Sequence, residues 1–437
     1  MQGFAAQSGS IISPQVTEAA AIYMKILFIH QNFPGQYKHL APLLARQGHQ
    51  CVALTLRVKE ATTWQGVRVL PYALPERDGQ KLHPWLVDLD TKVTRGGACY
   101  RAASRIRDAG FEPDLILAHP GWGESMFLRD VWPKARMGLY CELYHHAGFP
   151  HLNFDPEFAS KSPEVEPLRI RMKNLNNHLH FEFAHAGISP TAFQADTFPA
   201  PFRKRITLSH DGINTVQACP APDVRLTIEG QCDVTRKDEV ITFVNRNLEP
   251  YRGYHIFMRA LPRLLRERPN ATVLIVGGDE VSYGARAPKG KTWKQIFIDE
   301  VRDQISDADW ERVRFLGRIP YDQFLRLLQV SRVHVYLTYP FVLSWSLLEA
   351  MSCGAAIVAG DTEPVREVIR DDETGRLVDF FDGDALVDQV CDLLDDPGAR
   401  KRMGETARKM IRAKYDLQTI CLPRQIDWVK DVMDQPL

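Results

Sequence analysis

None of the eight cysteines in this 437-residue chain forms a CxxC pair or a Cys/His cluster at metal-ligand spacing. That excludes a zinc site and a disulfide framework, and points to a reducing, cytoplasmic compartment. No apolar run reaches the length of a membrane-spanning helix. Residues 1–23 lack a basic segment followed by an apolar one, so they read as a disordered extension, with order from Met24 onward. Net charge is also missing. The 54 Lys and Arg balance the 54 Asp and Glu, which removes the bulk basic footprint of a nucleic-acid binder. The fingerprint G-x-G-x-x-G is absent, which argues against a dinucleotide cofactor.

What remains is an ordinary globular composition long enough for two or three domains. Short buried strands alternate with helical stretches throughout. The first series runs through Lys25–His30, Cys51–Leu56, Val67–Pro71, Leu115–Ala118, Gly138–Tyr144, Ala186–Pro190 and Ile206–Ser209. The Pro-containing run Ala218–Asp223 reads as a linker. A second alternation starts at Glu239–Val244 and continues through Ala271–Gly277, Val313–Leu316, Val333–Thr338 and Ala355–Gly360. Both halves predict doubly wound α/β domains. The first 215 residues carry four excess positive charges, so a mildly basic half could rest on an anionic membrane.

The most informative stretch is Val333–Asp361. A buried strand, the loop Tyr339–Trp345, a helix from Ser346 to Cys353 and a second strand form a βαβ unit. Its loop brings a helix N-terminus to the carboxyl edge of the sheet, where unpaired N–H groups suit phosphate. Glu349, one turn in, could reach a ribose beside that phosphate. It could equally close an S-x-x-E capping box with Ser346. Other candidates also follow strand ends. His119 lies in His119-Pro120-Gly121-Trp122-Gly123, Arg246 and Arg252 follow Ile241–Val244, and Gly35 lies in the turn after the first strand. Asp88-Leu89-Asp90 matches a D-x-D pattern but begins a helix, and reads as a solvated pair. The helix Pro167–Ala184 interleaves basic and aromatic residues, and could lean on lipid or an acceptor.

The segment SLLEAMSCG, Arg246 and Arg252 at their spacing, DLILAHPGW and the crossover His210-Asp211-Gly212-Ile213-Asn214 together resemble retaining glycosyltransferases of family 4 (glycosyltransferase group 1), which have the GT-B fold. The resemblance implies two Rossmann-like domains facing across a cleft: an N-terminal acceptor domain (24–215), a nucleotide-sugar domain (216–415), and a C-terminal helix (416–437) packing back on the first. It implies a metal-independent, cofactor-free transfer of sugar from a nucleotide diphosphate to a glycan or lipid-linked acceptor, with possible contact at the inner face of a membrane.

By the same resemblance, His119 lies near the donor's anomeric carbon, and Gly35 and Gln36 near the diphosphate. Arg246 and Arg252 take the leaving group's charge. Arg318 and Ile319 receive the base through backbone groups. Trp345, Ser346 and Leu347 offer amides, Ser344 a hydroxyl, and Glu349 holds the ribose. His145 and His146 are acceptor candidates. The family's first glutamate aligns with Phe341, so the donor sugar is expected to be deoxy, acetylated or turned differently, or catalysis to be lost. The alternatives are a sugar phosphorylase of the same fold or a silent nucleotide-sugar binder.

Overall fold

The computed structural model describes residues 23–76, 81–146, 148 and 152–436. The expected extension at residues 1–22 lies outside them, as does part of the segment after His146.

Two parallel sheets organise the chain. The first has eight strands, with Lys25–Ile29 in its centre, flanked by Gln50–Thr55 and Leu115–Ala118. Its central strands are buried on both faces, which explains why they read as continuous apolar runs rather than alternating ones. One edge strand, Thr62–Trp64, pairs antiparallel with Val67–Pro71 and was not expected. It is short and largely exposed, so no apolar pattern marks it. The second sheet has six strands, with Val240–Asn247 and Val333–Tyr336 adjacent at its centre.

Several boundaries differ from the sequence reading. The turn after the first strand, expected at Gly35, runs on as a 3-10 helix, Gly35–Lys38, before the α-helix Leu40–Arg46. The one expected over Pro167–Ala184 breaks at Asn174 into Glu166–Lys173 and Leu175–Phe181. Between the sheets, the hairpin Arg225–Ile228 with Cys232–Thr235 lies beyond the expected linker.

The chain crosses between domains twice, and the crossings meet. Ile213 bridges to Asp416 in parallel register, and Thr215 Oγ1 donates to Asp416 Oδ2. After the second crossing, Leu422–Asp434 packs on the first domain, where Leu422, Trp428, Val429 and Val432 join a core with Ile26, Phe28 and Tyr140. Trp428 fits because Gly138 leaves room: a Cβ there would sit 2.8 Å from the indole. The helix therefore ties the C-terminal end to the N-terminal sheet.

Candidate functional site

A cleft of about 1590 Å³ opens between the carboxyl edges of the two sheets. His30, Gly35, Gln36, His119, Glu142, His145 and Asp211 line it from the first half; Asn245, Arg246, Arg252, Phe341, Ser344 and Trp345 line it from the second. A smaller cavity of about 330 Å³ shares Lys38, Asp211, Asn245, Arg246, Ser344 and Trp345 with it, and adds Tyr321, Ser346 and Glu349.

On the N-terminal wall two histidines have defined tautomers. His30 Nδ1 accepts from the Asn32 amide at 3.0 Å, so its Nε2 carries the proton and donates to Gln36 Oε1 at 2.6 Å. Burial lowers the His30 pKa to about 3, with His119 adding to the effect, so His30 stays neutral. Gly35 is needed here: its φ is +46°, and a Cβ would lie 2.3 Å from the His30 ring. His119 Nδ1 accepts from the Gly121 amide at 3.2 Å, leaving the proton on Nε2, which lies 3.4 Å from Glu142 Oε2. Its ring is clamped between Trp122 (4.0 Å, 17°) and Tyr140 (5.6 Å, 23°). Burial alone would favour a protonated Glu142, but its neighbours His119, His30 and Arg252 outweigh it and hold the carboxyl below its ordinary value.

On the C-terminal wall Arg252 is buried, yet no carboxylate among the described residues pairs with it. Its Nη1 donates to Thr338 Oγ1 at 2.7 Å and to the Val342 carbonyl at 2.9 Å. The guanidinium carbon lies 4.8 Å from the Tyr283 ring centroid and 5.8 Å from that of Phe341. Among the described residues its direct contacts are neutral oxygens and aromatic faces, with Glu249 acting from farther off, so the guanidinium keeps its charge for an incoming anion. The backbone just after it is constrained as well, since a Cβ at Gly253 would overlap Leu337 at 2.2 Å. Arg246 is exposed, lines both cavities and makes no ion pair among the described residues.

The helix beside them runs Trp345–Ser352, capped by Ser344, whose Oγ accepts from the Ser346 amide at 3.3 Å. The Leu347 amide bonds to the Ser344 carbonyl at 3.3 Å and its side chain is core, so Leu347 lines neither cavity. Because the cap falls on Ser344, Glu349 is not in a capping box. It accepts from the Tyr321 hydroxyl at 2.6 Å, and burial raises its pKa to about 7 against the pull of Tyr321 and Lys38. Trp345 is partly exposed rather than core, and its Nε1 donates to Asp211 across the domain boundary.

Three more expected residues, Arg318, Ile319 and His146, sit apart from the cleft. Arg318 is exposed, engaged with Glu280 (2.7 Å) and Asn247 (3.1 Å), and lines neither cavity; Ile319 packs beside the C-terminal core. Of the adjacent histidines, His145 lines the cleft and His146 is exposed outside it. Asp88 lies in the first turn of Val87–Asp108, paired with Lys92.

Sequence reasoning missed Glu142, Asp211, His30 and a strap at 152–160. Glu142 could have been found as the polar residue just past a buried strand end. The strap bears no local signal because its partners lie far along the chain. Asp155 Oδ2 accepts from His255 Nε2 and from the Tyr339 hydroxyl, both at 2.8 Å. Glu157 engages Arg259 through two bonds of 2.7 and 2.9 Å, and Phe154 packs on Tyr339, Phe380 and Phe381. Asp155, Glu157 and His255 have ligand atoms within 4.8 Å of one another. Arg259 and Tyr339 already use those carboxylates, so the geometry is that of an interdomain latch.

Residues 47–218 match the family model described as Glycosyl transferase family 4 group, and residues 227–410 match Glycosyl transferases group 1. The chain belongs to these glycosyltransferases. It is 31% identical over 191 residues to the phosphatidyl-myo-inositol mannosyltransferase of Mycolicibacterium smegmatis, covering 42% of this chain and 43% of that one. It is 24% identical over 431 residues to the glycogen synthase of Mycobacterium tuberculosis, covering 91% and 92%. The chain thus spans about half the length of curated relatives such as the mannosyltransferase (43%) and a Corynebacterium glutamicum mannosyltransferase (55%).

Among solved structures, sucrose-phosphate synthase from Thermosynechococcus elongatus superposes with a TM-score of 0.71 at 17% identity, covering 93% of this chain and 98% of that one. Anabaena HepE in complex with UDP and glucose superposes at 0.64 and 16%, covering 93% and 100%. The fold is GT-B.

Proposed function

We propose that the chain transfers a sugar from a nucleotide diphosphate to a glycan or lipid-linked acceptor, with retention and without a metal. The observation that carries this reading is the convergence of Arg246, Arg252 and the start of the Trp345–Ser352 helix on one cleft, with Glu349 in the adjoining cavity. Relatives whose names specify GDP-mannose and phosphatidylinositol acceptors, and a neighbour in complex with UDP-glucose, support the donor and acceptor classes.

The chemistry follows from charge. As the bond between sugar and diphosphate breaks, negative charge grows on the phosphate oxygens. The Arg252 guanidinium, held by Thr338 and the Val342 carbonyl, stabilises that charge without reorganisation, and Arg246 adds a second cation. The helix N-terminus adds its partial positive charge. In the adjoining cavity, an ionised Glu349 accepts from both ribose hydroxyls, displacing Tyr321. His119 shares its Nε2 proton between a donor-sugar oxygen and Glu142, whose carboxylate, 3.4 Å from that nitrogen, keeps the imidazole aimed. Departing phosphate takes the acceptor's proton on the same face, which retains configuration.

The test is a thermal-shift panel of UDP, GDP, ADP and dTDP, followed by turnover with the matching sugar. One nucleoside diphosphate should stabilise the chain by about 2.7 kcal/mol at a hundred times its dissociation constant. No shift with any of the four would overturn the reading.

A further inference from the structure

The basic helix singled out in the sequence, now Glu166–Lys173, is not used by the donor chemistry described above. Its inner end reaches the cleft, where Asp88, Lys92, Glu166, Arg169, Lys173 and Asn176 form one charged wall. Four of these charges cancel in pairs. Lys92 Nζ lies 2.9 Å from Asp88 Oδ2, and Arg169 Nη2 lies 2.6 Å from Glu166 Oε2. Lys92 has no donor to spare, because it also bonds to Asn176 Oδ1 at 2.9 Å and to the Lys173 carbonyl at 2.7 Å.

Lys173 is the surplus. Its amine makes no hydrogen bond or ion pair with any described residue, although the side chain is half-buried. Burial disfavours its charge; Asp88 and Glu166 offset part of that from a distance, while Lys92 and Arg169 add repulsion. An unpaired ammonium kept in such a place costs stability unless something else supplies the counter-charge. The wall is also wired to the reaction centre. Asn176, held by Lys92, donates through Nδ2 to the Pro120 carbonyl at 2.8 Å, and Pro120 follows His119 directly.

We infer that Lys173 is an acceptor-binding residue that receives a phosphate group, so that a phosphate-bearing acceptor presents its hydroxyl to the His119 loop. This rests on the transfer reading for its role, but the site itself does not. Arg246 and Arg252 serve the donor's diphosphate; Lys173 lies on the opposite domain and takes a second anion. The phosphate could belong to a soluble sugar phosphate or to a lipid headgroup.

The experiment measures binding of inorganic phosphate with the preferred nucleoside diphosphate held at saturation, or with nucleotide omitted in Arg252→Ala protein if none binds. Wild type, Lys173→Gln and Lys173→Arg are compared. The expected result is binding about tenfold or more weaker in Lys173→Gln and largely kept in Lys173→Arg. Without ligand, Lys173→Gln should melt no lower than wild type, because it removes a charge that burial disfavours and no contact pairs; a purely structural lysine would lower the melting temperature.

Transfer to glucose 6-phosphate against phosphatidylglycerol vesicles then separates soluble from lipid sources. Equal phosphate binding by wild type and Lys173→Gln, or none by either, overturns the proposal. Phosphate binding through Lys173 in a chain that binds no nucleotide would keep this site and remove the transfer reading. Transfer at full rate by Lys173→Gln would do the reverse.

Discussion

Trp345 Nε1 donates to Asp211 Oδ2 at 2.8 Å, joining the start of the C-terminal binding helix to the interdomain crossover. The same oxygen accepts from the Tyr140 hydroxyl at 3.0 Å. Asp211 is thus the shared acceptor that sets how the two cleft walls face each other.

This pairing makes stability depend on pH. Burial raises the Asp211 pKa from 3.8 to about 7, against the hydrogen bonds from Trp345 and Tyr140. The folded value exceeds the unfolded one, so its contribution is fully present below 3.8 and lost as pH rises through 7. Asp211→Asn removes that loss. Relative to wild type, it should gain stability between pH 4 and pH 7 by up to roughly 4 kcal/mol, and the difference should be flat above pH 8. Denaturant melts across this range measure it. A pH-independent difference would mean that Asp211 is already ionised in the native state at low pH.

Glu349 gives a prediction of the opposite kind, in affinity. Only its ionised form accepts two ribose hydroxyls, and its pKa is raised to about 7 by burial. Nucleoside diphosphate affinity should therefore rise from pH 6 to pH 8. Glu349→Gln should flatten that rise and weaken binding at pH 8 by about tenfold, the loss of a charge-assisted pair. Calorimetric titration at three pH values checks both. A Glu349→Gln protein that binds normally but melts lower would put the residue back in a structural role.

Glu142 acts through His119 rather than on substrate. With its carboxylate 3.4 Å from His119 Nε2, it selects the ring's orientation. Glu142→Gln should lower kcat by about tenfold to a hundredfold while leaving donor KM within about twofold. A change confined to KM would place Glu142 in binding instead.

The strap yields a stability prediction. Asp155 and His255 are both buried, at 3% and 1% exposure, and each is the other's partner. His255→Ala leaves Asp155 without its main donor, so a loss of roughly 3 kcal/mol or more is expected. Asp155→Asn, which keeps an acceptor for Tyr339, should cost less. Equal melting of all three proteins would show that the strap does not hold the domains.

Much of this architecture was legible because the buried strands are continuous apolar runs, and Gly354, next after the expected helix end at Cys353, has φ +76°. Reading the site was harder. Ser346-Leu347-Leu348-Glu349 has the form of a capping box, yet Ser344 took the cap because its side chain reaches the Ser346 amide first in the loop geometry. That freed Glu349 for Tyr321, a partner 28 positions away. The strap could not be read at all, since Asp155 and His255 are 100 positions apart and meet only when both domains are folded. Phe341, which stands where the family's first glutamate is expected, lines the cleft and packs near the Arg252 guanidinium, a contact that no local pattern encodes.

The central claim is that Arg252 is held charged and unpaired for a diphosphate. The most direct measurement is the affinity of the preferred nucleoside diphosphate, and of its nucleoside monophosphate, for wild type and Arg252→Ala. Arg252→Ala should bind the diphosphate at least about tenfold more weakly, with the monophosphate much less affected. Equal weakening for both nucleotides, or none for either, would contradict it.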